Sequence, residues 1–171
     1  MADLLEVTGL RVAVRGRHAI HEIVHGVDLA VPAGQTVGVV GESGSGKSLT
    51  MLALLGLLAE PLHVSGGRVL LAGRDLTAMR EPELRSLRGN DLAMVYQDPM
   101  TSLNPLMRVG DQVVEAMTAH GVGRAEARTR MFDLLDRVGI PNPARTARAY
   151  PHEFSGGMRQ RIVIACALAM R

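Results

Sequence analysis

The sequence is poor in aromatic and thiol side chains. Its 171 residues include no tryptophan, and aromatic residues make up 2% of the chain. Leucine, valine, isoleucine, methionine and alanine must therefore form the core, and an apolar fraction of 47% is ordinary for a globular protein. The single cysteine, Cys166, excludes an internal disulfide, and its apolar neighbours predict a small buried hydrophobe.

Strong net charge and long apolar runs are also lacking. A net charge of +2 gives no reason to expect nucleic acid as a partner. The longest apolar runs, residues 51–59 and 162–170, are shorter than the roughly 20 residues that a membrane helix needs. The first residues include Asp3 and Glu6, where a signal peptide would be basic. We therefore expect any membrane association to occur through a partner.

Lysine occurs once, at Lys47, within the sequence GESGSGKS at residues 41–48. A glycine, four residues, then glycine, lysine and serine is the pattern of a phosphate-binding loop. The apolar run TVGVV at 36–40 predicts a buried strand before the loop, and residues 47–59 predict a helix after it. The alternative, a flexible Gly/Ser linker with a chance lysine, does not explain this strand and helix.

The backbone and side chains of such a loop would suit a nucleoside triphosphate. Glycines let the chain turn tightly and bring backbone N–H groups against phosphate oxygens. The helix that follows adds unpaired N–H groups and a dipole that favours an anion. Lys47 is predicted to reach the β- and γ-phosphates, and the Ser48 hydroxyl to bind Mg²⁺. The predicted nucleotide contacts are Gly41, Glu42, Ser43, Gly44, Ser45, Gly46, Lys47, Ser48 and Leu49.

The rest of the chain predicts an α/β protein with an antiparallel side-sheet and a helical subdomain. Alternating apolar residues at Leu10, Val12 and Val14, and again at 27–31, predict half-buried antiparallel strands. Gly66-Gly67 predicts a turn before another strand, and LAMVY at 92–96 predicts a buried strand. Helical spacing appears at Val113, Ala116 and Met117, and at Met131, Leu134, Leu135 and Val138. Residues 158–170 are apolar nearly all round, which predicts a buried helix.

Two further motifs point to one family. Residues 154–160, FSGGMRQ, resemble the ABC signature LSGGQ, and residues 97–105, QDPMTSLNP, resemble an ABC glutamine loop. Together with YPHEFSGGMRQR, they make the chain similar to ATP-binding subunits of the oligopeptide/dipeptide (peptide/nickel) group of ABC importers. The resemblance covers the whole chain, with the three motifs in the family's order.

The resemblance implies a P-loop NTPase fold with a RecA-like core. It divides the chain into a side-sheet and phosphate-loop core (1–97), a helical subdomain (98–153), and the signature with its core helix (154–171). It implies ATP and Mg²⁺ as cofactors, with Gln97 touching Mg²⁺ or the attacking water. Ser155, Gly156 and Gly157 would open the last helix toward ATP held by a second subunit.

The resemblance also implies partners and a location. The second ATPase subunit would form a homo- or heterodimer with this chain, and residues 98–120 would face a coupling helix of membrane-spanning permease subunits. An extracytoplasmic solute-binding protein would act indirectly, and the expected location is the cytoplasmic face of the membrane. The expected role is to couple ATP binding and hydrolysis to uptake of peptides or similar solutes.

The sequence departs from this family in two places. The family stacks an aromatic ring on adenine from its first strands, where this chain has Val14; His18 or His21 would have to substitute. The family also has an apolar strand ending in Asp-Glu after the signature helix, and later a histidine, which these 171 residues do not include. We therefore expect the fold to be incomplete at the C-terminus and this chain alone to hydrolyse ATP very slowly or not at all.

Other interpretations follow from particular features. HEIVH at 21–25 matches the zinc-protease pattern, which works only on a helix, whereas these residues favour a strand. The chain could instead be a module that holds ATP without hydrolysing it. It could also be a soluble ABC ATPase acting in DNA repair or translation, which the modest charge and the importer-like glutamine loop disfavour.

Overall fold

The computed structural model describes residues 3–16, 19–96 and 102–171. The chain divides into two compact units, Met1–Arg85 and Ser86–Arg171. The first unit is built on a four-stranded sheet and the second on helices.

The sheet contains β1 (Asp3–Arg15), β2 (Ile20–Pro32), β3 (Leu62–Leu71) and β4 (Arg74–Asp75). Its strand order is β2-β1-β3-β4, and every neighbouring pair is antiparallel. The alternation at 10–14 and 27–31 therefore marks two paired antiparallel strands, as predicted.

Two irregularities shape this sheet. Val12 pairs with Val24 and Ala13 with Glu22, so Ile23 is an extra residue that bulges from β2.

The predicted turn at Gly66-Gly67 is wrong, because both glycines lie inside β3. Gly67 has φ of 88° at a register shift between β1 and β3. A Cβ at Gly67 would collide with the backbone of Gly9 and Leu10, so the glycine permits a close strand approach rather than a turn.

One helix, α1 (Lys47–Leu54), follows the phosphate-loop sequence. It is shorter than the predicted 47–59. Its C-cap is Leu55, and Gly56 follows with φ of 62°, the left-handed conformation that commonly ends a helix. Ala53 and Leu54 are buried, because α1 lies against the strands of the sheet.

The predicted strands at 36–40 and 92–96 do not form. Residues 36–40 have no assigned strand, and Val40 is 94% exposed. Residues 93–96 are also irregular, with only an isolated bridge between Arg88 and Leu92. A strand needs a neighbour to satisfy its N–H and C=O groups, and no strand among the described residues pairs with either run.

After α2 (Glu81–Leu87), the second unit contains α3 (Val109–Thr118), α4 (Arg124–Arg137), α5 (Pro143–Thr146) and α6 (Gly156–Ala167). The two predicted helical faces are confirmed, with Val113 and Met117 buried on α3 and Met131, Leu134 and Leu135 buried on α4. They pack against Ile162, Val163 and Ala165 of α6 in one apolar core.

Cys166 packs at the edge of this core, as expected for a small hydrophobe. Desolvation raises the pKa of its thiol to about 12. The thiol is therefore uncharged at neutral pH, which makes Cys166 a weak nucleophile in the folded chain.

Candidate functional site

The phosphate-loop residues form a turn closed by Lys47. The Lys47 ammonium donates to the carbonyl oxygens of Gly41 at 2.7 Å and Glu42 at 2.6 Å, and to Ser45 Oγ at 3.0 Å. An ammonium has three donors, so these contacts fix it across the loop. All three acceptors are uncharged, and no ion pair joins Lys47 to a carboxylate in the described part of the chain. The positive charge therefore stays uncompensated beside the loop.

Glycine is required at two points of this turn. Gly44 and Gly46 have φ of 83° and 87°, a backbone conformation that other residues rarely adopt. Gly46 is also the N-cap of α1, and its carbonyl accepts hydrogen bonds from the Thr50 N–H at 2.8 Å and the Thr50 hydroxyl at 3.0 Å. The loop thus leads directly into the first turn of a helix.

The start of α1 has free donors. Within the described residues, no group accepts a hydrogen bond from the backbone N–H of Gly46, Lys47 or Ser48. Unsatisfied N–H groups of this kind, at the positive end of a helix dipole, form an anion site. The exposed Ser48 stands at the same helix end.

The signature sequence lies in the second unit, at the start of α6. Ser155 is the N-cap residue, and its hydroxyl accepts a hydrogen bond from the Met158 N–H at 3.4 Å. Ser155, Gly156 and Gly157 are exposed, and a Cβ at either glycine would meet no atom within 4 Å. The N-terminus of α6 is therefore open to solvent.

The segment before the signature is held by several contacts. Arg159 donates to the Pro151 carbonyl at 2.8 Å, and the Tyr150 N–H donates to Glu153 at 2.6 Å. The rings of Tyr150 and His152 stack with centroids 5.8 Å apart. These contacts fix the entry of the chain into α6.

Two predicted residues cannot be compared with the structure. Gln97, predicted to contact Mg²⁺ or water, lies outside the described residues. His18, one of the two candidates for a base contact, also lies outside the described residues.

The HEIVH residues lie in β2, as their strand propensity predicts. His21 pairs with Val14, and His25 pairs with Arg11. Val14 and Arg11 are three residues apart on a strand, so they lie on opposite faces of the sheet. His21 and His25 therefore also lie on opposite faces, whereas the zinc pattern needs both on one face.

The second unit contains a basic cleft that the sequence analysis missed. Arg108, Arg128 and Arg148 line a cleft of 350 Å³, together with Asp111 and Phe132. Within the described part of the chain, none of these three guanidinium groups has a hydrogen bond or ion pair. The three arginines are 20 residues apart in sequence, and α3, α4 and α5 bring them together, so no local motif could have revealed the cleft.

Comparison with known proteins identifies relatives along nearly the whole chain. The ABC transporter family profile matches residues 24–171. A putative peptide import ATP-binding protein of Brucella ovis is 48% identical over 172 residues, covering 96% of this chain and 51% of the relative. The oligopeptide transport ATP-binding protein OppD of Salmonella typhimurium is 47% identical over 169 residues, covering 98% of this chain and 50% of the relative. The chain thus spans about half the length of the curated relatives it matches.

Solved structures give the same fold. The ATP-binding cassette MJ0796, in a dimeric post-hydrolysis state bound to ADP and phosphate, superposes with a TM-score of 0.84 at 25% identity. That match covers 97% of this chain and 69% of the other. The cbiO1 protein of Clostridium perfringens gives a TM-score of 0.75 at 24% identity, covering 99% of this chain and 62% of the other.

In the described part of the chain, every helix is too short or too polar to cross a bilayer.

Proposed function

The chain belongs to the ABC transporter family, and from this membership we propose that it is the nucleotide-binding part of an importer's ATP-binding subunit. Residues 41–48 would bind the triphosphate of ATP, and the whole protein would couple ATP binding and hydrolysis to solute uptake. The observation that carries this proposal is the uncompensated charge of Lys47 at the N-terminus of α1.

The residues present fit a triphosphate. The free N–H groups of Gly46, Lys47 and Ser48 supply donors, and Lys47 supplies a charge that no carboxylate among the described residues neutralises. An anion at this position gains charge-assisted hydrogen bonds, which are about twice as strong as neutral ones. In our proposal Glu42, Ser43, Gly44 and Ser45 enclose the phosphates, and Leu49 adds a first-turn N–H group.

We assign Mg²⁺ to the Ser48 hydroxyl. This side chain is exposed at the start of α1, beside the proposed phosphates. A hard cation such as Mg²⁺ prefers oxygen ligands and commonly shares them with substrate phosphates. Gln97 remains a proposed second contact from sequence alone.

A second ATP-binding subunit would complete the site. We propose that Ser155, Gly156 and Gly157 face the γ-phosphate of ATP held by this partner. Their exposure and the open N-terminus of α6 support the proposal, since a helix start attracts anions. MJ0796, whose fold this chain shares, is dimeric with ADP and phosphate bound.

The proposed transport partners are membrane-spanning permease subunits at the cytoplasmic face of the membrane, with a solute-binding protein acting indirectly. The relatives are called peptide import and oligopeptide transport proteins, which supports peptides as the transported solutes. We propose that the helical subdomain (98–153) carries the permease-facing surface, including residues 98–120. Crosslinking of a tagged chain in membranes that contain the permease would test this contact.

Replacing Lys47 tests the proposal. Lys47→Ala removes the charge and leaves the loop carbonyls unbound, so we expect ATP affinity to fall by about tenfold to a hundredfold. Isothermal titration of the 171-residue chain with Mg·ATP measures this change. Ser48→Ala should weaken binding with Mg²⁺ present and have little effect when the metal is chelated.

A charge-matched control is available in the same unit. Arg80 is an exposed cation paired with Glu83, away from the loop sequence. Arg80→Ala removes the same amount of charge and should leave ATP affinity unchanged. If Lys47→Ala bound ATP as tightly as Arg80→Ala does, the phosphate assignment would be wrong.

A further inference from the structure

We propose that the basic cleft of the second unit, lined by Arg108, Arg128 and Arg148, binds a small organic phosphate. This site is separate from the phosphate loop, and it does not depend on the ATP-binding role proposed for that loop. It gives a ligand class to a group of cations that the proposed function leaves unused.

The packing of the second unit holds two of these arginines beside each other. The Gly110 N–H donates to the Ala147 carbonyl at 3.0 Å, and a Cβ at Gly110 would be 2.7 Å from the Ala147 Cβ. Arg108 lies two residues before the donor, and Arg148 directly follows the acceptor. The two backbone segments that carry these guanidinium groups are therefore in direct contact.

The third arginine comes from α4. Arg128 follows Ala127, which is fully buried, and Met131 on the same helix is also buried in the core shared with α3 and α6. These apolar contacts fix the face of α4 from which Arg128 lines the cleft. The three cations are thus brought together by packing, against their mutual repulsion.

The positive charge of the cleft exceeds its negative charge. Asp111 is the one carboxylate that lines it, and within residues 102–171 Asp111 forms no ion pair with any of the three arginines. Even a direct contact with one arginine would leave two cations over. A phosphate monoester carries about two negative charges at neutral pH, which balances this excess.

The geometry of the donors also favours phosphate. A guanidinium group presents a planar fork that donates two parallel hydrogen bonds to phosphate or carboxylate oxygens. A phosphate monoester offers three terminal oxygens to three such groups, whereas a carboxylate offers only two. These contacts come from side chains, so the backbone hydrogen bonds of α4 stay the same when the ligand binds.

The rest of the cleft wall suits an organic body attached to the phosphate. Val114, Met131 and Phe132 supply apolar surface, and the Phe132 ring is 41% exposed. Phe132 lies four residues after Arg128 on α4, so both side chains lie on one face of the helix. The volume of 350 Å³ falls within the range of about 300–1,000 Å³ that small-molecule sites occupy.

The test uses phenyl phosphate, which joins one phosphate to one aromatic ring, in buffer without Mg²⁺ or nucleotide. It is titrated calorimetrically into the 171-residue Lys47→Ala chain, whose phosphate loop lacks its cation, and we expect binding at one site. Adding Arg128→Ala should weaken this binding about tenfold, because charge-assisted hydrogen bonds are lost. Arg128→Lys should recover only part of the affinity, since an ammonium keeps the charge without the fork. Phe132→Ala should weaken phenyl phosphate and leave inorganic phosphate unchanged.

Arg137→Ala is the matched control. Arg137 is an exposed arginine on the same helix, and it does not line the cleft. Its replacement removes the same charge and should leave phenyl phosphate affinity unchanged. Alanine is a good helix former, so α4 should persist in both alanine variants, which circular dichroism checks.

A second arm of the experiment identifies the source of the phosphate. The same chains are sedimented with vesicles of phosphatidylcholine, with and without phosphatidylglycerol. Binding of phenyl phosphate in solution indicates a free organic phosphate. Sedimentation that needs phosphatidylglycerol and is lost in Arg128→Ala indicates a lipid headgroup, and either result supports the cleft as a phosphate site.

Three results would overturn the assignment. The cleft is not a phosphate site if neither probe binds, or if Arg128→Ala binds both probes as the parent chain does. The same conclusion follows if Arg137→Ala weakens binding as much as Arg128→Ala. Binding by the wild type that disappears in Lys47→Ala would assign the anion to the phosphate loop, which contradicts the cleft and leaves the proposed function intact.

Discussion

Gly67 shows how one residue sets the spacing of two strands. Its φ of 88° and its approach to the backbone of Gly9 and Leu10 leave no room for a side chain. Gly34 has a similar φ of 74°, yet a Cβ there would meet nothing within 4 Å. The two glycines thus share the backbone conformation and differ in the surrounding space.

This difference makes a prediction about stability. Gly34→Ala adds only the strain of a left-handed alanine, about 1 kcal/mol. Gly67→Ala adds the same strain and a collision with backbone that cannot move aside, so we expect a further loss of about 2 kcal/mol or more in the free energy of unfolding. Urea unfolding followed by circular dichroism measures both variants. Equal destabilisation would mean that β1 and β3 do not approach closely at Gly67.

The helix starts at the phosphate loop and at the signature could be predicted from sequence because they depend on local spacing, whereas the nucleotide contacts of these residues stay predictions. Fixed spacing and residue type at 41–48 and 154–157 place glycine and serine at turns and at helix starts, as the structure confirms for Gly46 and Ser155. The face of His21 could not be predicted in this way. It depends on a pairing between β1 and β2 that inserts Ile23, and strand propensity does not show which residue bulges.

Among the elements, α6 joins the apolar core of the second unit to an open helix end. Ile162 and Ala165 anchor the helix, while Gly156 and Gly157 stay exposed at its start. A change at these glycines therefore alters the exposed end without disturbing the packing of the helix.

A charge at this helix end should prevent pairing of two subunits. Gly156→Asp meets no neighbouring atom, so the fold should persist, but its carboxylate would repel the partner's γ-phosphate. We expect the wild-type chain to dimerise when Mg·ATP is added and the variant to remain monomeric, with ATP affinity per monomer unchanged. Light scattering after gel filtration measures this.

Gly123→Asp provides the control for that experiment. Gly123 is the N-cap of α4, and a Cβ there also meets no atom within 4 Å. This variant should dimerise like the wild type. A wild-type chain that stays monomeric with ATP, or a Gly156→Asp variant that dimerises normally, would contradict the proposed partner contact.

The helices α3 and α4 and the strands β1 and β2 could be predicted from periodicity, because each buries apolar residues at regular spacing within its own unit. The irregular conformation of residues 36–40 and 92–96 could not be predicted in this way. An apolar run predicts burial, but it does not show whether a neighbouring strand is present to pair with it. Val37, Val39 and Val40 are instead exposed. Their backbone groups have no strand partner among the described residues, so propensity alone does not make them a strand.

For the molecule as a whole, two compact units carry the two proposed nucleotide contacts. Lys47 and the start of α1 lie in the first unit, and Ser155 with the start of α6 lies in the second. Both are helix N-termini, and at the first of them Lys47 adds a positive charge that no carboxylate among the described residues neutralises. We therefore propose that this chain binds its own ATP through the first unit.

Hydrogen exchange with and without Mg·ATP tests this claim most directly. In the free chain the amides of 41–49 include N–H groups without partners, so they should exchange rapidly. We predict that Mg·ATP slows exchange at 41–49 in the wild type but not in Lys47→Ala, and leaves α4 unchanged in both. If ATP binds while residues 41–49 exchange as before, or if Lys47→Ala shows the same protection, the central claim is contradicted.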